Sequence, residues 1–182
     1  ARRKHTTPWV DVRLMLDALK RVCRVEPLTL QVHQRALDLA VATHGEDHPN
    51  VGHTLNNMAI MELSANNRDT ARDIHRRVLA LRRRLLAPDH PDIAESLNNL
   101  CNVELARSDN AAARDACEEA LTIRRKVFTD PHPLIATTES NLGMALLRLA
   151  EPERARQALQ SALSGFERSL GPKHAAVSNP LD

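Results

Sequence analysis

The chain has 182 residues, 25 Lys+Arg against 23 Asp+Glu and a formal charge of +2, enough polypeptide for one or two domains with a real core. It is 42% hydrophobic, yet only Trp9, Phe128 and Phe166 are aromatic, Tyr is absent and Gly numbers five, so the apolar content is mainly Ala, Leu and Val. That favours helix over strand and excludes a Greek-key sandwich, a collagen-like chain and a disordered acidic tail. No apolar run approaches the ~20 residues that a bilayer span needs, so no membrane segment is expected. Cys23, Cys101 and Cys117 are odd in number and lack CxxC spacing. They point away from a disulfide framework or zinc knuckle and towards a reducing, cytoplasmic setting.

In chain order, residues 1–7 form a basic tail with neither an initiator Met nor a signal-peptide core, as expected of a piece of something longer. Residues 8–45 read as a divergent helix pair that caps a stack. Its first helix carries Trp9, Val12, Leu16 and Leu19, and its second carries Thr29, Val32, Ala36 and Leu39. Beyond it the sequence repeats. His48-Pro49, His90-Pro91 and His132-Pro133 recur every 42 residues, and the same offset carries Leu55-Asn56-Asn57-Met58 onto Leu97-Asn98-Asn99-Leu100. Residues 50–86 and 92–128 share 11 identities in 37 positions without a gap. Three units result, at 46–87, 88–129 and 130–171, followed at 172–182 by the truncated start of a further unit.

Each unit predicts two helices. The first opens after His-Pro, where a proline loses no hydrogen bond and the imidazole is placed to cap backbone N–H groups. Val51, Leu55, Met58, Ala59 and Leu63 fall on one helical face, as do Ile93, Leu97, Leu100, Cys101 and Leu105. A polar break follows, and the second helix places Ala71, Ile74, Val78 and Leu81 together, echoed by Ala113, Ala116, Ala120 and Ile123. Glu139 breaks the pattern, because Leu55 and Leu97 predict an apolar residue there. The expected fold is all-α, a solenoid of about four antiparallel hairpins.

Asp47-His48-Pro49, Leu55-Asn56-Asn57-Met58-Ala59 and Arg35-Ala36-Leu37, with their counterparts one unit on, resemble the 42-residue tetratricopeptide repeat of kinesin light chains. The likeness covers roughly residues 26 to 178. It departs where the family's second-helix aromatic is replaced by His75, Cys117 and Leu159, and where the usual turn Gly is missing. The resemblance implies a right-handed superhelix, no catalysis, no cofactor, and capture of a peptide or partner segment along an inner groove lined by the first helices. The positions it points to are His53, Asn56, Asn57 and Ile60, then Glu95, Asn98, Asn99 and Asn102, then Thr137, Asn141, Met144 and Arg148. An amide side chain both donates and accepts, so an Asn ladder suits an extended backbone; bonding between helices is the competing role. Asn56, Thr137 and Asn141 stand where a carboxylate clamp would need cations.

Other chemistry is weaker. His44 and His48 have a chelating spacing, but Gly45 and Pro49 place them in a loop. Arg76, Arg77, Arg82, Arg83 and Arg84, continued by Arg124, Arg125 and Lys126, could attract nucleic acid, without any aromatic platform and on a nearly neutral chain. No Gly-rich phosphate loop, nucleophile elbow or HExxH occurs. Cys101 and Cys117 occupy apolar repeat positions and read as small core residues. A non-catalytic interaction module is the leading expectation. The alternative is the regulatory region of a larger signalling enzyme, such as an NTPase or caspase-like protease, and self-association through uncapped ends is compatible with either.

Overall fold

A computed structural model describes residues 31–170, so what is expected of residues 1–30, Thr29 included, and of residues 171–182 lies outside the described residues. The order is α1 (31–44), α2 (Pro49–Ser64), α3 (Arg68–Leu85), α4 (Pro91–Arg107), α5 (Asn110–Val127), α6 (Pro133–Arg148) and α7 (Pro152–Leu170), with no strand among the described residues. Each helix packs on the next, and α4 also touches α6, so the first helices of neighbouring units lie side by side. The fold is the all-α solenoid that the repeat predicts.

The sequence dictates how each first helix starts. His48, His90 and His132 are N-caps in extended backbone, and each Nδ1 accepts the N–H two residues on at 3.2 Å. The intervening Pro has no N–H, so the imidazole serves the first donor that needs a partner. Rings brace two of these caps, His44 stacking on His48 and Phe128 on His132 with centroids 4.2 and 4.1 Å apart.

Each hairpin also turns in one way. Asn66, Ser108 and Ala150, spaced by one repeat, have φ of 65°, 65° and 57°. The following amide then reaches back over the helix end, from Asn67 to Glu62, Asp109 to Glu104 and Glu151 to Leu146, at 2.8 to 3.0 Å. Asn tolerates this left-handed conformation; Ala150 has a Cβ and no side-chain polar group to compensate.

Inside the hairpins one slot is filled in three ways. Register pairs residue 59 with 75, 101 with 117, and 143 with 159. In the third unit Leu159 packs so closely on Gly143 that a Cβ there would lie 2.6 Å from the Leu Cγ. In the second unit the slot holds a disulfide, Cys101–Cys117, with Cα atoms 5.6 Å apart. This corrects the expectation of unlinked cysteines. No local motif announces the bond, since 16 residues separate the pair. Its signal is symmetry: both cysteines stand eight residues from Asp109 at the turn, so antiparallel helices bring them opposite. Both are fully buried, as their apolar repeat positions predict.

The core is a chain of small clusters. Leu37, Val51, Leu55, Met58, Val78 and Leu81 form one, Leu79, Ile93, Leu97, Ala120 and Ile123 the next, and Cys101, Ala113, Cys117 and Ala145 a third. Two buried arginines tie units together. Arg82 donates to Asp92 O at 2.7 Å, Ser96 Oγ at 2.8 Å and Glu95 Oε2 at 2.9 Å. Its register mate Arg124 donates to Leu134 O at 2.6 Å and to Thr138 Oγ1. Burial lowers the Arg124 pKa, opposed by Glu95.

Candidate functional site

The expected groove residues stand on α2, α4 and α6, and the structure sorts them by what they already touch. Asn98 is buried, with its Oδ1 accepting from Thr138 at 3.1 Å and from Asn141 Nδ2 at 3.4 Å, so it sits between units instead of on their surface. Asn99 Nδ2 donates to Asn56 Oδ1 at 2.9 Å. The ladder therefore runs diagonally: the second Asn of each pair binds the first position of the preceding unit. Thr137 bonds back to Pro133 O at 2.9 Å. Glu95 is held by Arg82, and Arg148 donates to Leu105 O at 2.7 Å.

What stays available is a narrower set. His53, Asn57, Ile60 and Met144 are exposed, Asn102 is half-buried, and no described residue bonds the side chains of His53, Asn57 or Asn102. Ile60 and Met144 leave about half of their surface to solvent, 49% and 42%. The strip thus mixes free amides with apolar side chains, and its charged members Glu95 and Arg148 are already engaged.

Most of the basic stretch is paired internally, with Arg77 the exception among the described residues. Arg76 pairs with Glu104 at 3.3 Å, Arg83 with Glu119 at 2.5 Å, Arg125 with Glu139 at 2.8 Å and Lys126 with Asp89 at 2.9 Å, while Arg84 meets Asp47. Arg82 and Arg124 are buried. Few of these cations are left to neutralise phosphates, which opposes the nucleic-acid reading. His48 spends its Nδ1 on the helix cap, and no group of three or more His, Cys, Asp or Glu among the described residues could hold a metal ion.

Sequence reasoning missed two features. His75 is 1% exposed with no partner for Nδ1, and burial together with the nearby Arg82 charge lowers its pKa from 6.5 to about 4. A cleft of about 510 Å³ opens between α5, α6 and α7, lined in part by Glu139. Only the out-of-pattern Glu139 signalled it.

The model of the tetratricopeptide repeat matches residues 28–84, 66–126 and 92–168. The chain belongs to the tetratricopeptide repeat family. Among solved structures it is similar to BtubC (BKLC) from P. vanneervenii, with 21% identity, a TM-score of 0.74, and coverage of 86% of this chain and 61% of that one. It is also similar to a Podosopora anserina putative kinesin light chain of nearly identical TPR-like repeats, with 16% identity, a TM-score of 0.74, and coverage of 95% and 82%. A second crystal structure of that putative light chain gives 16% and 0.73. These identities speak to the fold, and the chain spans only about three-fifths of BtubC, 61%. No curated protein sequence matches it. The repeat of this kinesin-light-chain-like type generally serves protein–protein interaction and is typically non-catalytic. No helix of the described residues is long and apolar enough to cross a membrane.

Proposed function

We propose that this tetratricopeptide chain captures an extended peptide or partner segment along the inner groove, whose lining ridge is α2, α4 and α6, without catalysis. The observation that carries the reading is the strip of exposed, unbonded His53 and Asn57, half-buried Asn102, and exposed Ile60 and Met144. Asn57 and Asn102 each offer one donor group and one acceptor to a peptide backbone, and Ile60 and Met144 take its apolar side chains. Asn56, Asn98, Asn99 and Asn141 set the spacing between units that keeps those contacts in line. Glu95 and Arg148 serve the ridge in the same indirect way, through bonds to neighbouring helices, while Thr137 bonds back to its own helix.

The reading is tested with a displayed library of random dodecapeptides selected on the full chain. Asn57→Ala, Asn102→Ala and Met144→Ala should each weaken a selected peptide several-fold while leaving the helical content unchanged. Unaltered affinity in all three sinks the groove assignment. A cytoplasmic setting is compatible with the Cys101–Cys117 bond, because both sulfurs are fully buried and exchange requires opening of the α4–α5 hairpin. A second reading, that the chain is the regulatory or sensor repeat region of a larger signalling enzyme, is compatible with its spanning 61% of BtubC. Sequencing the coding region on either side tests it; an isolated reading frame of this length contradicts it.

A further inference from the structure

The third unit departs from its siblings at two positions, Glu139 of α6 and Ser161 of α7, that both line the cleft between α5, α6 and α7. In the second unit Leu97 is 2% exposed in the core; its register mate is Glu139, 4% exposed. One unit earlier in the stack, Arg83 of α3 reaches across to Glu119 of the next second helix, α5. The equivalent of Arg83 is Arg125, but the equivalent of Glu119 is Ser161, which is too short to answer it. Arg125 turns inward instead and donates to Glu139 Oε1 at 2.8 Å. With no pair spanning Arg125 and Ser161, the surface stays open as a cleft of about 510 Å³, within the range of small-ligand sites.

The cleft is not part of the ridge. Glu139 lies about 160–180° around α6 from Thr137, Asn141 and Arg148, at 100° per residue. Its apolar lining is Leu121, Leu142, Leu146 and Ala158. One wall is already neutral, Arg154 pairing with Glu118 at 2.7 Å. The two members of the remaining pair differ in freedom. The Glu139 side chain is 6% exposed and fixed on a packed helix, whereas the Arg125 side chain is 60% exposed. The fixed charge is therefore an anion, and its cation is replaceable. Only Oε1 of Glu139 is bonded among the described residues.

We propose that this cleft binds a cation carried on an apolar stem, an alkylguanidinium or alkylammonium group. The head pairs with Glu139 in place of Arg125, the methylenes lie on the leucines, and the released Arg125 side chain returns to solvent. A buried carboxylate is retained at a leucine position, despite its desolvation cost, because it recognises that head group.

The experiment is a titration of the full chain followed by the backbone amide resonances of Glu139, Leu142 and Ala158. Agmatine is the free probe, acetyl-Gly-Arg-Gly-amide presents the same head on a peptide, and pentanoate and pentanamide are the anionic and neutral controls. Agmatine should bind saturably and the controls should not. A peptide that binds at least as well as agmatine identifies a partner's side chain as the source, and agmatine alone identifies a free ligand; either outcome supports the site. Glu139→Gln should weaken binding at least tenfold, and Glu139→Leu, which restores the residue type of its siblings, should abolish it in a folded protein. Ala158→Leu, which fills the cleft from α7 without touching the ion pair, should also abolish it. Arg125→Ala should tighten agmatine several-fold by removing the competing cation. Saturable binding of pentanoate that Arg125→Ala abolishes would overturn the proposal, as would agmatine shifts that survive both Glu139→Leu and Ala158→Leu, or no agmatine binding by either the parent or Arg125→Ala.

Discussion

His75 makes the stability of the first hairpin depend on pH. It is buried without a partner for Nδ1, and its pKa falls from 6.5 to about 4 because burial and the Arg82 charge both disfavour the imidazolium. Between those values the unfolded chain binds the proton and the native chain does not, so stability rises with pH through that window and is lost as pH falls from about 6.5 towards 4. Worked from those two values, the native state loses about 2 kcal/mol by pH ~5 and about 3 kcal/mol by pH ~4 relative to neutral pH. His75→Phe isolates the effect: a planar ring is kept, titration is removed, and the family places an aromatic residue here. Urea unfolding followed by far-UV circular dichroism, at several values between pH ~7.5 and ~4.5, should show a steeper loss in the parent than in His75→Phe. The difference between their slopes is the quantity of interest, since every other group titrates alike in both. Parallel profiles would refute the reasoning, because they would mean that the site accepts the proton as readily as water does.

Other outcomes follow from packing and turn geometry. Gly143→Ala should destabilise by about 1–3 kcal/mol in urea melts, although helix propensity alone favours Ala by ~1 kcal/mol, because its Cβ meets Leu159; stabilisation would show that the slot can relax. Ala150→Gly should raise the melting midpoint, with a gain of about 0.5–1 kcal/mol, by relieving a Cβ held at φ 57°. Cys101→Ser or Cys117→Ser should cost about 2–4 kcal/mol, for a loop spanning 16 residues. Thiol counting in denaturant without reductant should find Cys23 alone reactive.

How much of this was legible beforehand divides along the physics. Local rules were readable: His-Pro as a cap and the apolar stripes, Ala71 and Ala113 among them, follow from helical geometry. The missing turn Gly was visible too, and its consequence is that Asn66, Ser108 and Ala150 must take the positive φ that the turn requires. Interactions across helices were harder. Asn98 and Asn99 are neighbours of one type in one motif, yet one is buried against Arg124 and Thr138 and the other half-exposed beside Asn56. That distinction depends on the angle between units, which no single repeat encodes. The disulfide and the cleft were legible only by comparing register mates, Ala59 with Cys101 and Gly143, or Leu97 with Glu139. The partners of the basic stretch were not legible, because Glu104, Glu119 and Asp47 lie 28 to 37 residues away.

The central claim is that the ridge of first helices is where a partner binds. Hydrogen–deuterium exchange of the full chain, with and without a library-selected peptide, tests it most directly. The account predicts slowed exchange within α2, α4 and α6 around Asn57, Asn102 and Met144, with α3, α5 and α7 little changed. Protection confined to the second helices, with the ridge unaffected, would contradict it.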